Sequence, residues 1–217
     1  MSTAHLTKRL VALALVALLG LSHACSEPAP APDGPAPAGP QGAPPAGGAA
    51  APAGERAAAS RAAFLAVYPV FMHPRCVNCH PAGDAPLQGE DSRLHAQGVK
   101  RGADGRGKFA LKCASCHLER NQPGENMPPG NPNWHLPPAD MPMVFQGRSA
   151  AELARQLKDP AQTGGRTLEQ LHEHLAQDSL VLGCWTPGDG RAPPPLPHAE
   201  LARRFREWLE TGAAIPE

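Results

Sequence analysis

The sequence predicts an all-α domain in which short helices are separated by long loops. Apolar residues recur at helical spacing in four segments, and no segment alternates apolar with polar residues as a half-buried strand would. The stretches between the helices, such as 121–140, are rich in Pro, Gly and Asn, which are typical of loops. The 217 residues include three Trp, one Tyr and five Phe, a thin supply of large apolar side chains for a core of this size.

The first helix is predicted from Ala57 to about Phe71. Its apolar side chains fall on one side of a helix, and they are Phe64, Val67, Tyr68 and Phe71. Pro69 is expected to kink this helix or to end its last turn, because proline lacks the backbone N–H that a helix needs.

Three further helices are predicted in the second half of the chain. Ser149 and Glu152 form a capping-box pattern that opens a helix through Lys158, and Pro160 closes it. The next helix spans 167–176 and the last spans 198–211, before Gly212 supplies a stop. Their apolar stripes are Leu168, Leu171 and Leu175 in the former, and Leu201, Phe205, Trp208 and Leu209 in the latter.

Residues 1–24 are predicted to be a signal peptide. Two basic residues precede an apolar run from Leu10 to Leu21, which is too short to span a bilayer but fits the core of a signal peptide. Cleavage after Ala24 would leave Cys25 as the first residue, the position that carries the lipid in bacterial lipoproteins. Ser22 stands where a lipoprotein signal usually has Leu, Val or Ile, and an ordinary signal peptidase could cut the same bond. We expect a periplasmic protein that is anchored to the membrane through a lipid on Cys25.

Residues 25–54 are predicted to be a linker, and residues 55–217 a single folded domain. From Ser26 to Gly54 almost every residue is Pro, Ala or Gly, so the segment cannot bury enough apolar surface to offset the entropy of ordering it. In polyproline II form, at about 3.1 Å per residue, it would reach roughly 90 Å. Without the signal peptide the chain has 18 basic and 20 acidic residues and no basic block, which argues against nucleic-acid binding.

Two copies of Cys-x-x-Cys-His carry the functional prediction. The first motif comprises Cys76, Cys79 and His80, and the second comprises Cys113, Cys116 and His117. In c-type haem attachment each cysteine forms a thioether with a haem vinyl group, and the histidine becomes the proximal ligand of the iron. The pattern predicts two covalently bound c-type haems, whose porphyrins would supply the apolar bulk that the side chains lack.

The distal ligand of each iron is less narrowly defined by the sequence. His95 is the only His or Met between the motifs and is the natural distal ligand for one haem, the alternative being a surface histidine. His135 and Met141 lie in a loop flanked by prolines, where either could bind iron or form part of a lid over a haem. On the third helix, His172 lies closer to the leucine stripe than His174, so periodicity mildly favours His172.

A zinc site built from the two Cys-x-x-Cys pairs is the main chemical alternative. It would leave unexplained the histidine that directly follows each pair, and the loop between the pairs is longer than a zinc ribbon uses. A thioredoxin-like redox motif would need a βαβ context that the sequence lacks. Cys184 is left over beside Trp185 and is predicted to be a small buried apolar side chain.

A first helix that enters a haem motif, together with an amphipathic last helix, resembles the plan of class I cytochromes c. In that family the two helices pack across each other beside the haem. Only 32 residues separate His80 from Cys113, which is too few for two complete domains in tandem. We therefore expect one loop-rich, cytochrome c-like domain that is built around both haems.

The region from Pro74 to the C-terminus also resembles a family of small bacterial dihaem cytochromes, some of which are described as isoquinoline oxidoreductase subunits. The resembling segments are RCVNCHPAGD at 75–84, VKRG at 99–102, NPNWHL at 131–136 and HLAQDSLVLGCWTPG at 174–188. The resemblance implies a cytochrome that accepts electrons from a molybdenum hydroxylase, and it favours His174 over His172 as a ligand. Cys184 departs from the pattern of that family.

The predicted function is electron transfer to and from other redox proteins rather than enzymatic catalysis. Each iron would cycle between Fe(II) and Fe(III), with two axial ligands that keep substrates off the metal. The alternatives are a dihaem peroxidase and a haem-based sensor, both of which need an open coordination position on one iron.

Overall fold

The computed structural model describes residues 51–217, which are mostly helical. The predicted signal peptide, Cys25 and residues 25–50 of the predicted linker lie outside the described residues. The helices are α1 (Ala53–Phe71), α2 (Pro74–Val77), α3 (Ala150–Lys158), α4 (Leu168–Gln177), α5 (Ser179–Leu182) and α6 (His198–Glu210). The expected all-α class is therefore confirmed for this part of the chain, where no helix is long and apolar enough to cross a membrane.

A minimal β-sheet accompanies the helices. Strand β1 (Leu87–Gln88) pairs antiparallel with strand β2 (Arg93–Leu94), with Leu87 opposite Leu94. Two-residue strands are too short to show an alternating pattern, so they cannot be predicted from the sequence. Helices α2 and α5 cannot be predicted either, because each has only four residues, too few to show helical periodicity.

Helix α1 begins four residues before the predicted start, at Ala53, and ends at Phe71 as predicted. The added turn contains no large apolar residue and so shows no periodicity, and its residues other than Gly54 are good helix formers. Pro69 does not end the helix, because the N–H of Met72 still donates to the carbonyl of Tyr68 at 3.1 Å. Proline this close to the C-terminus removes only its own hydrogen bond from the last turn.

Side-chain caps fix the starts of α3 and α4. Ser149 Oγ accepts from the N–H of Glu152 at 3.3 Å, and the Glu152 carboxylate accepts from the N–H of Ser149 at 2.8 Å, as the capping-box pattern predicted. Thr167 and Gln170 form a second box, at 3.2 and 2.9 Å, at the start of α4. These reciprocal bonds satisfy backbone donors that the first helical turn leaves free.

The core lies where α1 packs against α6. The rings of Phe64 and Trp208 are 4.8 Å apart between centroids, and those of Phe71 and Phe205 are 6.3 Å apart. All four side chains are buried, so this contact contains four of the nine aromatic residues of the chain. The amphipathic stripe of the last helix is thus the surface that closes the core.

A buried hydroxyl on α1 forms hydrogen bonds to the backbone of α6 and of the segment that follows it. Ser60 Oγ, on α1, donates to the carbonyl of Trp208 at 3.0 Å and accepts from the N–H of Ala214 at 2.9 Å. Ser60 has no solvent exposure, so both bonds form away from water.

Replacing Ser60 with Ala is expected to lower the free energy of unfolding by about 1–2 kcal/mol, because the N–H of Ala214 would be left without a partner. Urea unfolding followed by circular dichroism measures this loss. Ser179→Ala, at an exposed serine whose hydroxyl makes no bond within residues 51–217, is the matched control and should stay within about 0.5 kcal/mol of the wild type. Equal stability of the two variants would contradict the proposed role of the Ser60 hydroxyl.

Candidate functional site

The first motif begins within α2 and continues as the turn after it. His73 Nδ1 accepts from the N–H of Arg75 at 3.3 Å and caps this helix, with Pro74 at its first position. The N–H groups of Cys79 and His80 bond back to the carbonyl of Cys76 at 3.1 and 3.2 Å. This helical turn brings two cysteines that are three residues apart to one side of the backbone.

The second motif forms a similar turn without a preceding α-helix. A 3-10 turn covers Cys113–Ser115, and the N–H groups of Cys116 and His117 both bond to the carbonyl of Cys113, at 3.2 and 2.9 Å. Cys113 is buried, whereas Cys116 is exposed. The backbone geometry around both Cys-x-x-Cys-His sequences is therefore alike, although their surroundings differ.

A backbone carbonyl 63 residues away holds the histidine of the first motif. His80 Nδ1 lies 2.7 Å from the carbonyl oxygen of Met143, and the ring stacks on Phe145 with 3.9 Å between centroids and 9° between planes. A carbonyl can only accept, so Nδ1 carries the proton and Nε2 keeps a free lone pair. Burial lowers the pKa of His80 to about 4, so the ring stays neutral at physiological pH.

The histidine of the second motif is held in the same way. His117 Nδ1 donates to the carbonyl of Pro129 at 2.7 Å, and the ring stacks on Trp134 with 4.1 Å between centroids and 7° between planes. Burial also lowers the pKa of His117. Both motifs therefore present a neutral imidazole whose Nε2 can bind a metal, with the second nitrogen fixed by a backbone acceptor.

The segment 129–146, here called the central loop, supplies the partners of both histidines. It contributes the carbonyls of Pro129 and Met143 and the rings of Trp134 and Phe145. The sequence predicts a loop for 121–140 and candidate distal ligands within 133–141. It does not reveal the supporting roles of these four residues, because a carbonyl acceptor leaves no mark in residue type.

His95 lies opposite the histidine of the second motif. The ring centroids of His95 and His117 are 6.3 Å apart, and the ring planes are inclined at 58°. Two imidazoles that bind one metal from opposite sides, each through a bond of about 2 Å, have centroids roughly 6 to 6.5 Å apart. In addition, Nδ1 of His95 is buried and has no hydrogen-bond partner among residues 51–217. The structure thus brings together the two histidines that the sequence assigned to proximal and candidate distal positions.

Apolar side chains that flank this pair in the sequence are exposed. Leu94 precedes His95 and is 69% exposed, Phe109 and Leu111 precede the second motif at 96% and 45%, and Leu118 follows it at 47%. Soluble domains rarely expose so many large apolar residues in neighbouring segments without a binding role. A flat apolar group attached at Cys113 and Cys116 would give them a surface to contact.

Two other candidate ligands, His174 and His135, each have a ring nitrogen held by a nearby acceptor. His174 Nδ1 is 3.5 Å from Oδ2 of Asp178, and His135 Nδ1 is 2.5 Å from the carbonyl of Asn133. In both residues the Nδ1 atom is occupied and Nε2 is left for another partner.

The remaining candidates pack against the core. The Met141 side chain lies against Gly164, whose φ is +66°, and would be 3.2 Å from a Cβ added there. His172 uses both ring nitrogens between α4 and α6, since Nε2 donates to the carbonyl of Ala202 at 3.1 Å and Nδ1 accepts from Arg206 at 2.8 Å. His172 is therefore a helix-packing residue, and the periodicity that favoured it reflects that role.

Cys184 lies beside the first motif, a position that its sequence context did not reveal. The interaction with the Cys184 thiol, together with burial, raises the pKa of Cys76. Cys184 Sγ also lies 3.4 Å from the carbonyl of Arg75. The expected small buried residue is in fact a half-buried thiol in contact with a cysteine 108 positions earlier.

No protein-family model matches the chain, and neither a curated protein nor a solved structure shows significant similarity to it. Within residues 51–217, no group of three or more His, Cys, Asp or Glu side chains is arranged to hold a metal ion. A haem iron needs only two axial side chains, because the porphyrin supplies its other ligands.

Replacing His172 with Ala is expected to lower the free energy of unfolding by about 1–2 kcal/mol, since Arg206 and the carbonyl of Ala202 lose their shared partner. Urea unfolding followed by circular dichroism measures this loss. Glu173→Ala, at an exposed position on the same helix, is the control and should have little effect on stability. Equal stability of the two variants would contradict the packing role of His172.

Proposed function

We propose that the chain is a dihaem c-type cytochrome that carries single electrons between redox proteins. The observation that carries the proposal is the shared design of the two motifs. In each, a Cys-x-x-Cys turn is followed by a neutral histidine whose Nδ1–H is bound to a backbone carbonyl at 2.7 Å, with Nε2 left free. A single Cys-x-x-Cys-His turn with this histidine geometry could be accidental. Two of them in one domain support two sites for the same kind of cofactor.

Each element of the two sites has a role in this proposal. Cys76 and Cys79 attach one haem, and Cys113 and Cys116 attach the other. The carbonyls of Met143 and Pro129 orient the proximal rings and increase the basicity of their Nε2 atoms. When bound, the haems supply one-electron chemistry through the Fe(III)/Fe(II) couple.

The distal positions support an electron carrier rather than an enzyme. At the second site, the separation of His95 from His117 suits a bis-histidine site. At the first site His174, His135 and Met141 remain the candidates, and ligation by Met141 would raise the potential of that haem. An iron with two protein ligands has no position for peroxide or a gas, which the peroxidase and sensor alternatives require.

The packing of the first helix against the last supports a cytochrome c-like arrangement. The contact between α1 and α6 is the one expected from the class I plan, and α1 leads through His73 into the first motif. A periplasmic location, a lipid on Cys25 and a molybdenum hydroxylase as the electron donor complete the proposal. These three points depend on the predicted signal peptide and on the family resemblance.

The direct test is to express the chain with c-type haem maturation machinery and to measure covalent haem by intact mass. We expect two haems on the wild type, and one each on Cys76→Ser/Cys79→Ser and Cys113→Ser/Cys116→Ser. Cys184→Ser, which removes the thiol outside the motifs, is the control and should keep both. A wild-type chain with no haem, whose thiols are free or bind zinc, would overturn the proposed function.

Replacing His95 with Ala is expected to leave both haems attached but to open one iron. About half of the haem should become five-coordinate and bind carbon monoxide, whereas the wild type should bind none. His172→Ala is the matched control, because His172 serves helix packing. If the His95 variant has the wild-type spectrum and does not bind carbon monoxide, His95 is not an axial ligand.

A further inference from the structure

Arg101 is a charged residue that is almost entirely buried, with 2% of its surface exposed. Its guanidinium donates to three backbone carbonyls, those of Pro137 at 2.7 Å, Pro142 at 3.4 Å and Gly83 at 3.1 Å. It forms no ion pair within residues 51–217, and Asp84 is instead 3.8 Å from Lys108. The guanidinium is therefore hydrogen-bonded only to neutral carbonyls, and the charge of Asp84 acts on it without forming an ion pair.

A buried charge without a carboxylate partner is costly, so its position needs a reason. Gly83 follows His80 by three residues, and Pro142 directly precedes Met143, whose carbonyl holds the His80 ring. Arg101 thus joins the two chain segments that meet at the first motif. Its N–H also donates to the carbonyl of Asp84 at 2.7 Å, which adds a backbone contact to the same segment.

We propose that Arg101 positions the support of His80 and that its buried charge raises the reduction potential of the haem at the first site. The inference rests on the proposed function. An oxidised iron carries one more positive charge than a reduced one, so a fixed cation nearby disfavours the oxidised state. Burial strengthens this effect, because little water is present to screen the charge.

Arg101 lies close to the first motif in the structure. Its guanidinium donates to the carbonyl of Gly83, which follows His80 by three residues, and to that of Pro142, which precedes Met143. These hydrogen bonds hold the guanidinium beside the support of the His80 ring. The same residue therefore acts on the site both through its hydrogen bonds and through its charge.

A redox titration of the haem-loaded full chain separates these two roles. Arg101→Gln removes the charge, and we expect one of the two midpoint potentials to fall while the other stays. Arg101→Lys keeps the charge but loses the forked geometry, so its potentials should remain near those of the wild type even if its stability is lower. Arg56→Gln, at an exposed arginine of α1, is the control for removal of a charge and should move neither potential.

Asp84→Asn provides a second variant, at a half-exposed carboxylate whose charge opposes that of Arg101. We expect it to raise the same potential that Arg101→Gln lowers, and it remains informative if the Arg101 variants fail to fold. The inference alone would be overturned if both midpoint potentials of Arg101→Gln stay at the wild-type values, or if Arg101→Lys lowers the potential as much as Arg101→Gln does. If the Arg101 variants do not fold, an unchanged potential in Asp84→Asn would overturn it. A wild-type chain without haem would overturn the proposed function and this inference with it.

Discussion

The hydrogen bond from each motif histidine to a backbone carbonyl is the interaction on which the site depends. A Cys-x-x-Cys-His sequence fixes where the two sulfurs and the imidazole lie along the chain, but not which ring nitrogen is free. The carbonyls of Met143 and Pro129 decide this, since they accept only from Nδ1–H and so leave Nε2 with its lone pair. The lowered pKa values of both histidines keep the rings neutral, which is the form that binds a metal.

Both carbonyls belong to the central loop, so the contacts that hold this loop in place also hold the two motif histidines. Phe145 stacks on His80 and meets Phe71 of α1 at 5.5 Å, so the aromatic core between α1 and α6 continues directly into the first site. From α3, Gln156 Nε2 donates to the carbonyl of Val144 at 2.9 Å. Helices α1 and α3 thus help to set the orientation of the His80 ring. Five of the nine aromatic residues of the chain lie along this path, and they are Phe64, Phe71, Phe145, Phe205 and Trp208.

The sequence predicted the parts of the fold that are governed by local rules, and it missed those that depend on distant contacts. A local residue pattern predicts the capping box at Ser149, and helical periodicity predicts the apolar stripe of α6. The structure confirms both. The contact of Cys184 with Cys76 and the buried Arg101 are not visible in this way, since their partners are remote in sequence or are backbone atoms that every residue has. For the same reason the motif histidines could be identified from residue type, whereas the groups that orient them could not.

The most direct test of this account is a crystal structure of the haem-loaded protein. The account predicts that Nδ1 of His80 and of His117 will still be within hydrogen-bond distance of the Met143 and Pro129 carbonyls, with each Nε2 bound to an iron. It also predicts that His95 will be bound on the other side of the second iron. A structure in which either motif histidine has turned its Nδ1 away from the central loop, or in which the motifs hold no haem, would contradict the account.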